Sequence, residues 1–245
     1  MDFVFLHGGG QGGWVWEQTV AAMALQAPGR HRTLVLDVPG CGTRRGRDTS
    51  AIAFPELVDE LLADIARADL RDVVVVGHSM AGVVLPALIA ARPDLFARAI
   101  HVSCVAPAPG SSVLDAAMAI HANPRAPLHG IFGNPEVPMR EQFFRAFCND
   151  MGPVQAEAFL DRLSQDHWPE SASVYADWAY DHLAALPSTY VHCLEDTILP
   201  PWEQEVFAAR LHCERTVRIA AGHQVMVTRP QGLAELLMLE AEPPA

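Results

Sequence analysis

Short apolar runs rich in β-branched residues alternate along the chain with longer segments whose apolar positions recur at helical spacing. The short runs predict strands over 3–6, 33–37, 73–76, 99–103, 189–194 and 216–219. Between them the periodicity predicts helices over 16–26, 54–68, 80–91, 202–211 and 231–240, the last starting behind Pro230. Strands that alternate with helices imply an α/β class: a mostly parallel six-stranded sheet with helices on both faces. The alternation breaks once. From about 106 to 186 no strand pattern appears; prolines punctuate the segment, and helical patterns recur near 140–149, 154–165 and 171–183. A structureless loop of that length is foreign to a compact domain. The chain therefore divides into a core of 1–106 and 185–245 and a helical cap of 107–184, standing over the carboxyl end of the sheet.

Composition narrows the function classes. The 245 residues are 50% hydrophobic and 19% charged, which suits one packed domain rather than a disordered or coiled-coil chain. The net charge is −12 and no lysine occurs, so the chain lacks the basic footprint that nucleic-acid binding needs. Five cysteines at long spacings, without a Cys-x-x-Cys pair, read as free thiols in a reducing compartment. The first residues carry no basic stretch before an apolar run, so a secretory leader is not expected and a cytoplasmic location is. The apolar stretch 73–91 contains Gly77, His78, Ser79, Gly82 and Pro86, which fits a buried strand and helix better than a membrane span.

The chemistry concentrates where strands end. Four valines lead into Gly77-His78-Ser79-Met80-Ala81-Gly82 and an apolar helix follows. A sharp strand-to-helix turn lifts a serine hydroxyl clear of the sheet and demands small residues two places on either side, which Gly77 and Ala81 supply. Ala81 stands where glycine is usual. The run His7-Gly8-Gly9-Gly10-Gln11-Gly12-Gly13-Trp14 follows the first strand and can present a backbone N–H; Gly9 and Met80 are the candidate oxyanion donors. A phosphate loop is the rival reading of those glycines, but no lysine and Ser/Thr close the run. Among eleven histidines, His223 lies in the loop between the last strand and the last helix, where open α/β sheets place their chemistry. The orienting acid belongs after the preceding strand, where Glu195 and Asp196 are neighbours and Asp196 is favoured. Asp37 also ends a strand but reads as a turn residue.

With these motifs the chain resembles the α/β-hydrolase superfamily along its whole length, and within it the plant methylesterase and hydroxynitrile lyase group with related bacterial esterases. The resemblance rests on the run from Phe5 to Trp14, on Gly77 to Gly82, on Glu195-Asp196 and on Gly222-His223-Gln224-Val225-Met226. It implies an α/β-hydrolase fold whose six-stranded core lacks the first two strands of larger members. It also implies a helical cap insertion, a hydrophobic pocket between cap and core, and no cofactor or metal. The lyase branch looks like it uses a lysine after the catalytic histidine and a threonine in the oxyanion loop; here Gln224 and Gly8 stand there. Hydrolysis of a small hydrophobic carboxylic ester by Ser79, His223 and Asp196 is the expected activity. A lyase, a cofactor-free oxygenase, a ligand-capturing receptor, and hydrolysis of amides, carbamates or lactones are the alternatives. Trp14, Met80, Phe143, Phe147, Trp168, Trp178 and Met226 are the expected pocket residues, a lining suited to an apolar acyl or aromatic group. Arg44, Arg45 and Arg47 read as solvated surface. The expected partner is a small ester, with neither nucleic acid nor membrane; a homodimer is left open.

Overall fold

Six strands form one sheet in the order β2-β1-β3-β4-β5-β6, and every neighbouring pair runs parallel. The computed structural model describes residues 1–163 and 165–242. The strands are β1 (Asp2–Leu6), β2 (Thr33–Leu36), β3 (Val73–His78), β4 (Phe96–Val102), β5 (Ser188–Cys193) and β6 (Arg215–Ile219). Around them lie helices α1 (Glu17–Gln26), α2 (Phe54–Arg67), α3 (Ala81–Ala91), α4 (Val113–Ala122), α5 (Met139–Phe147), α6 (Pro153–Leu163), α7 (Glu170–Val174), α8 (Pro201–Arg210), α9 (Val225–Thr228) and α10 (Pro230–Ala241).

The central strands are apolar on both faces because both faces are covered. Successive side chains of a strand point to opposite sides. Phe3, Phe5, Val74 and Val76 accordingly join a core with Trp16, Met23, Leu233 and Leu237 on the α1 and α10 side. Val4, Leu6, Val73 and Val75 join Leu57, Leu61, Leu85 and Phe207 on the α2, α3 and α8 side. The sheet and both helical layers match the sequence reading, with strand ends shifted by a few residues.

The segment between β4 and β5 carries α4 to α7 and no strand among the described residues. Two of its features differ from the sequence expectation. Helix α4 was not anticipated, although Ser112 and Asp115 spell its start: Ser112 Oγ accepts the Asp115 N–H at 3.1 Å and Asp115 Oδ2 accepts the Ser112 N–H at 2.9 Å. The helix expected over 171–183 stops at Val174, because Tyr175 turns extended and stacks on Phe54 at 4.4 Å. Only a short 3-10 turn, Asp181–Ala185, follows. Ser164, within the helix expected over 154–165, lies outside the described residues, as do the last three of the chain.

Candidate active site

Ser79 takes φ = +54°, a conformation that L residues rarely adopt, at the junction of β3 and α3. The surroundings hold it there: its N–H donates to Val102 O at 3.2 Å, and its carbonyl accepts the N–H groups of Gly82 and Val105, each at 3.0 Å. The turn brings strand and helix so close that a Cβ on Gly77 would meet Leu85 at 2.8 Å and Ala81 at 3.0 Å. A larger residue at 77 would have to push Leu85 aside. Ala81 is itself fully buried, so the methyl that replaces the usual glycine is accommodated in the core.

Ser79 Oγ lies 2.9 Å from His223 Nε2, and His223 Nδ1 lies 2.6 Å from Asp196 Oδ2. The Asp196 carboxylate cannot donate, so Nδ1 carries the ring proton and Nε2 is free to accept the serine proton. Further bonds hold the Asp196 carboxylate in place. Ser103 Oγ donates to Asp196 Oδ2 at 2.6 Å, while Oδ1 accepts the Ile198 and Leu199 N–H groups at 2.9 and 2.8 Å. Asp196 and His223 are buried, whereas Glu195 is exposed and offers only its backbone to this region. Ser103 was missed in the sequence; a buried serine at the carboxyl end of β4 is a signal only once that strand is known to neighbour β5.

His78 and His7 have distinct places. His78 is fully buried, with Nε2 2.9 Å from the His223 carbonyl and its ring 4.5 Å from the His223 ring. Burial, and then the neighbouring His223, hold its pKa well below the usual histidine range, so it stays neutral with its proton on Nε2. His7 Nε2 accepts the Val38 N–H at 3.1 Å, which leaves the proton on Nδ1 to donate to Gly8 O at 2.9 Å. Burial lowers the His7 pKa too.

Gly8 O also accepts Trp168 Nε1 at 2.9 Å. Because the peptide unit is planar and trans, fixing that carbonyl also fixes the direction of the Gly9 N–H on the opposite side. Neither the Gly9 nor the Met80 N–H has an acceptor among the described residues, and both residues border the cavity beside Ser79. Met80 opens α3, so positive partial charge is focused at the same place.

The cavity beside Ser79 has a volume of about 450 Å³ and is overwhelmingly apolar. Val105, Val113, Ile120, Phe132, Phe143 and Phe147 supply much of its wall. Four of the expected pocket residues lie elsewhere. Trp14 donates its indole N–H to Asp166 at 2.7 Å and carries the Arg162 guanidinium over its ring at 4.2 Å, so it ties the loop after β1 to the region of α6. Trp168 braces Gly8 as described, and Trp178 packs with Phe54 and Tyr175 while donating to Ser111 O. Met226 is wholly buried among the α1 and α10 side chains. Arg45 is exposed, as expected, and from the surface it donates two bonds of 3.0 Å to the buried Asp166. Among the described residues no group of three or more His, Cys, Asp or Glu is arranged to hold a metal ion. Among the described residues no helix is long and apolar enough to cross a membrane.

Residues 3–236 match the family model described as the alpha/beta hydrolase family. The chain belongs to the alpha/beta hydrolase family. Its similarity to known members extends over nearly the full length. The carbendazim hydrolyzing esterase of Nocardioides sp. (strain SG-4G) is 27% identical, with 96% of this chain and 98% of that one covered. The polyneuridine aldehyde esterase of Rauvolfia serpentina is 21% identical, covering 96% and 94%. In three dimensions the chain superimposes on an extracellular alpha/beta-hydrolase from a Paenibacillus species with a TM-score of 0.79, at 21% identity and with both chains covered entirely. This last likeness concerns the fold.

Proposed function

We propose that this alpha/beta hydrolase is a serine esterase that cleaves small hydrophobic carboxylic esters through an acyl-enzyme. Both full-length relatives described above are also named as esterases. The single observation that carries the mechanism is the unbroken series from Ser79 Oγ through the His223 ring to Asp196 Oδ2. Ser79 attacks the ester carbonyl as His223 Nε2 takes its proton; Asp196 stabilises the imidazolium and keeps its orientation. The unpaired N–H groups of Gly9 and Met80 receive the oxyanion, each donor contributing about 3–4 kcal/mol in comparable sites. His223 returns the proton to the leaving alkoxide, then activates a water that releases the acid and restores Ser79.

The wall of the cavity supports an apolar substrate. Valines, isoleucine and three phenylalanines bind an apolar acyl or aromatic group by burial, at about 25 cal/mol per Å² of apolar surface removed from water. Arg140 and Arg145 supply no anion site there: Arg140 is half-exposed and paired with Glu157, and Arg145 Nε donates to Glu141 at 2.6 Å. Gln224, where the lyase branch resembled above carries lysine, is buried and uncharged, which favours hydrolysis over hydroxynitrile cleavage.

A panel of nitrophenyl esters beside a hydroxynitrile and a charged succinyl ester tests this reading. Short apolar and aryl acyl esters are expected to turn over, with kcat/KM at least about tenfold above the charged ester, the scale of one buried apolar contact. Measurable hydroxynitrile cleavage without ester hydrolysis would overturn it.

A further inference from the structure

We propose that Asn149 and Asp150, in the cap just after α5, are positioning residues that hold the loops of the acid and the base in register with each other. The proposal rests on the reading of Ser79, His223 and Asp196 given above. Asp150 Oδ2 accepts the N–H of Gly222, the residue before His223, at 2.8 Å, and the Thr228 hydroxyl at 2.8 Å. Its side chain is only 5% exposed. Asn149 Nδ2 donates to the carbonyl of Glu195, the residue before Asp196, at 2.8 Å. Thr197, the residue after Asp196, donates its hydroxyl to Arg145 O at 2.7 Å, at the carboxyl end of α5. Both catalytic loops are thus tied to one short piece of cap backbone.

The fit is close. A Cβ on Gly222 would lie 2.5 Å from Asp150 Oδ1 and 2.6 Å from Asn149 Oδ1, so the contact exists only because residue 222 is glycine. The same α5 brings Phe143 and Phe147 to the cavity wall, and the Phe147 ring lies 5.6 Å from the His223 ring. The helix that touches substrate therefore also holds the atoms on which the His223–Asp196 distance depends. Neither Asn149 nor Asp150 lines the cavity, so they act on turnover through His223 and Asp196 rather than on substrate affinity.

The test compares wild type with Asp150→Ala, Asp150→Asn and Asn149→Ala. It measures kcat and KM on nitrophenyl acetate and hydrogen exchange over residues 219–228. Displacement of a catalytic group by about 1 Å costs on the order of 100-fold. Asp150→Ala is expected to lower kcat about 10–100-fold with KM within about twofold. Its 219–228 segment should exchange faster. Asp150→Asn keeps an oxygen that accepts both the Gly222 N–H and the Thr228 hydroxyl. It should stay within about threefold of wild type in kcat, with wild-type exchange. Asn149→Ala alters an exposed side chain and so leaves folding intact; its kcat should fall about 3–10-fold. An Asp150→Ala kcat within twofold of wild type, an Asp150→Asn as slow as the alanine variant, or an unchanged Asn149→Ala would each overturn the proposal. Failure of the wild type to hydrolyse the ester would instead indict the triad reading, and the exchange comparison would still judge the tie between the loops.

Discussion

Ser79→Ala is expected to lower kcat on an activated ester by about 10⁴- to 10⁶-fold while leaving KM within a few-fold of wild type. The loss is large because no neighbouring group can replace the hydroxyl. His78, the closest nucleophile-bearing neighbour in sequence, is fully buried with its ring turned to the His223 carbonyl. The residual rate would come from the Gly9 and Met80 N–H groups and from binding in the cavity, which together can polarise an ester for attack by water held at His223. Stability should change little or rise slightly, because a residue at φ = +54° is strained whatever its side chain and the lost hydroxyl makes one bond, to His223 Nε2. Steady-state kinetics with urea unfolding of both proteins checks both halves of this expectation.

Asp196→Asn carries the second largest effect, a fall in kcat of about 10⁴-fold. Oδ1 accepts two backbone N–H groups, from Ile198 and Leu199, so an asparagine would turn its amide oxygen to that side. Its NH₂ group would then face His223 Nδ1 and the Ser103 hydroxyl. A donor opposite Nδ1 selects the other tautomer of the ring, with the proton on Nε2, and Nε2 could no longer accept from Ser79. The nucleophile and oxyanion donors would be intact but the base would be blocked. Asp196→Asn should therefore bind substrate normally and fail at acylation, visible as loss of the burst of nitrophenol in rapid mixing. A normal burst followed by slow turnover would place the role of Asp196 elsewhere.

Much of this centre was legible before the fold was known, because its signals are local. Four valines, a glycine and a serine spell a strand, a tight turn and a helix within a dozen residues. His223 and Asp196 stand in strand-end loops that the alternation of elements already outlines. What escaped was set by contacts between distant parts of the chain. Trp14, Trp168, Trp178 and Met226 were expected in the pocket on size and apolarity, yet an indole N–H also seeks an acceptor, and three of these residues found one in Asp166, Gly8 or Ser111. Arg45 is at the surface as read, but its bond to Asp166 was hidden because the two lie 121 residues apart. The apolar stripe of α4 that lines the cavity, Val113, Ala117 and Ile120, was readable from the Ser112 and Asp115 cap and was passed over in a segment dominated by prolines.

In the proposed mechanism Ser79 becomes covalently acylated during turnover. Its most direct test is reaction of the folded protein with a fluorophosphonate, followed by peptide mass mapping. One adduct per chain is expected, located on Ser79, abolished in Ser79→Ala and slowed in Asp196→Asn. A wild-type protein that hydrolyses esters yet stays unlabelled, or is labelled at another residue, would contradict it.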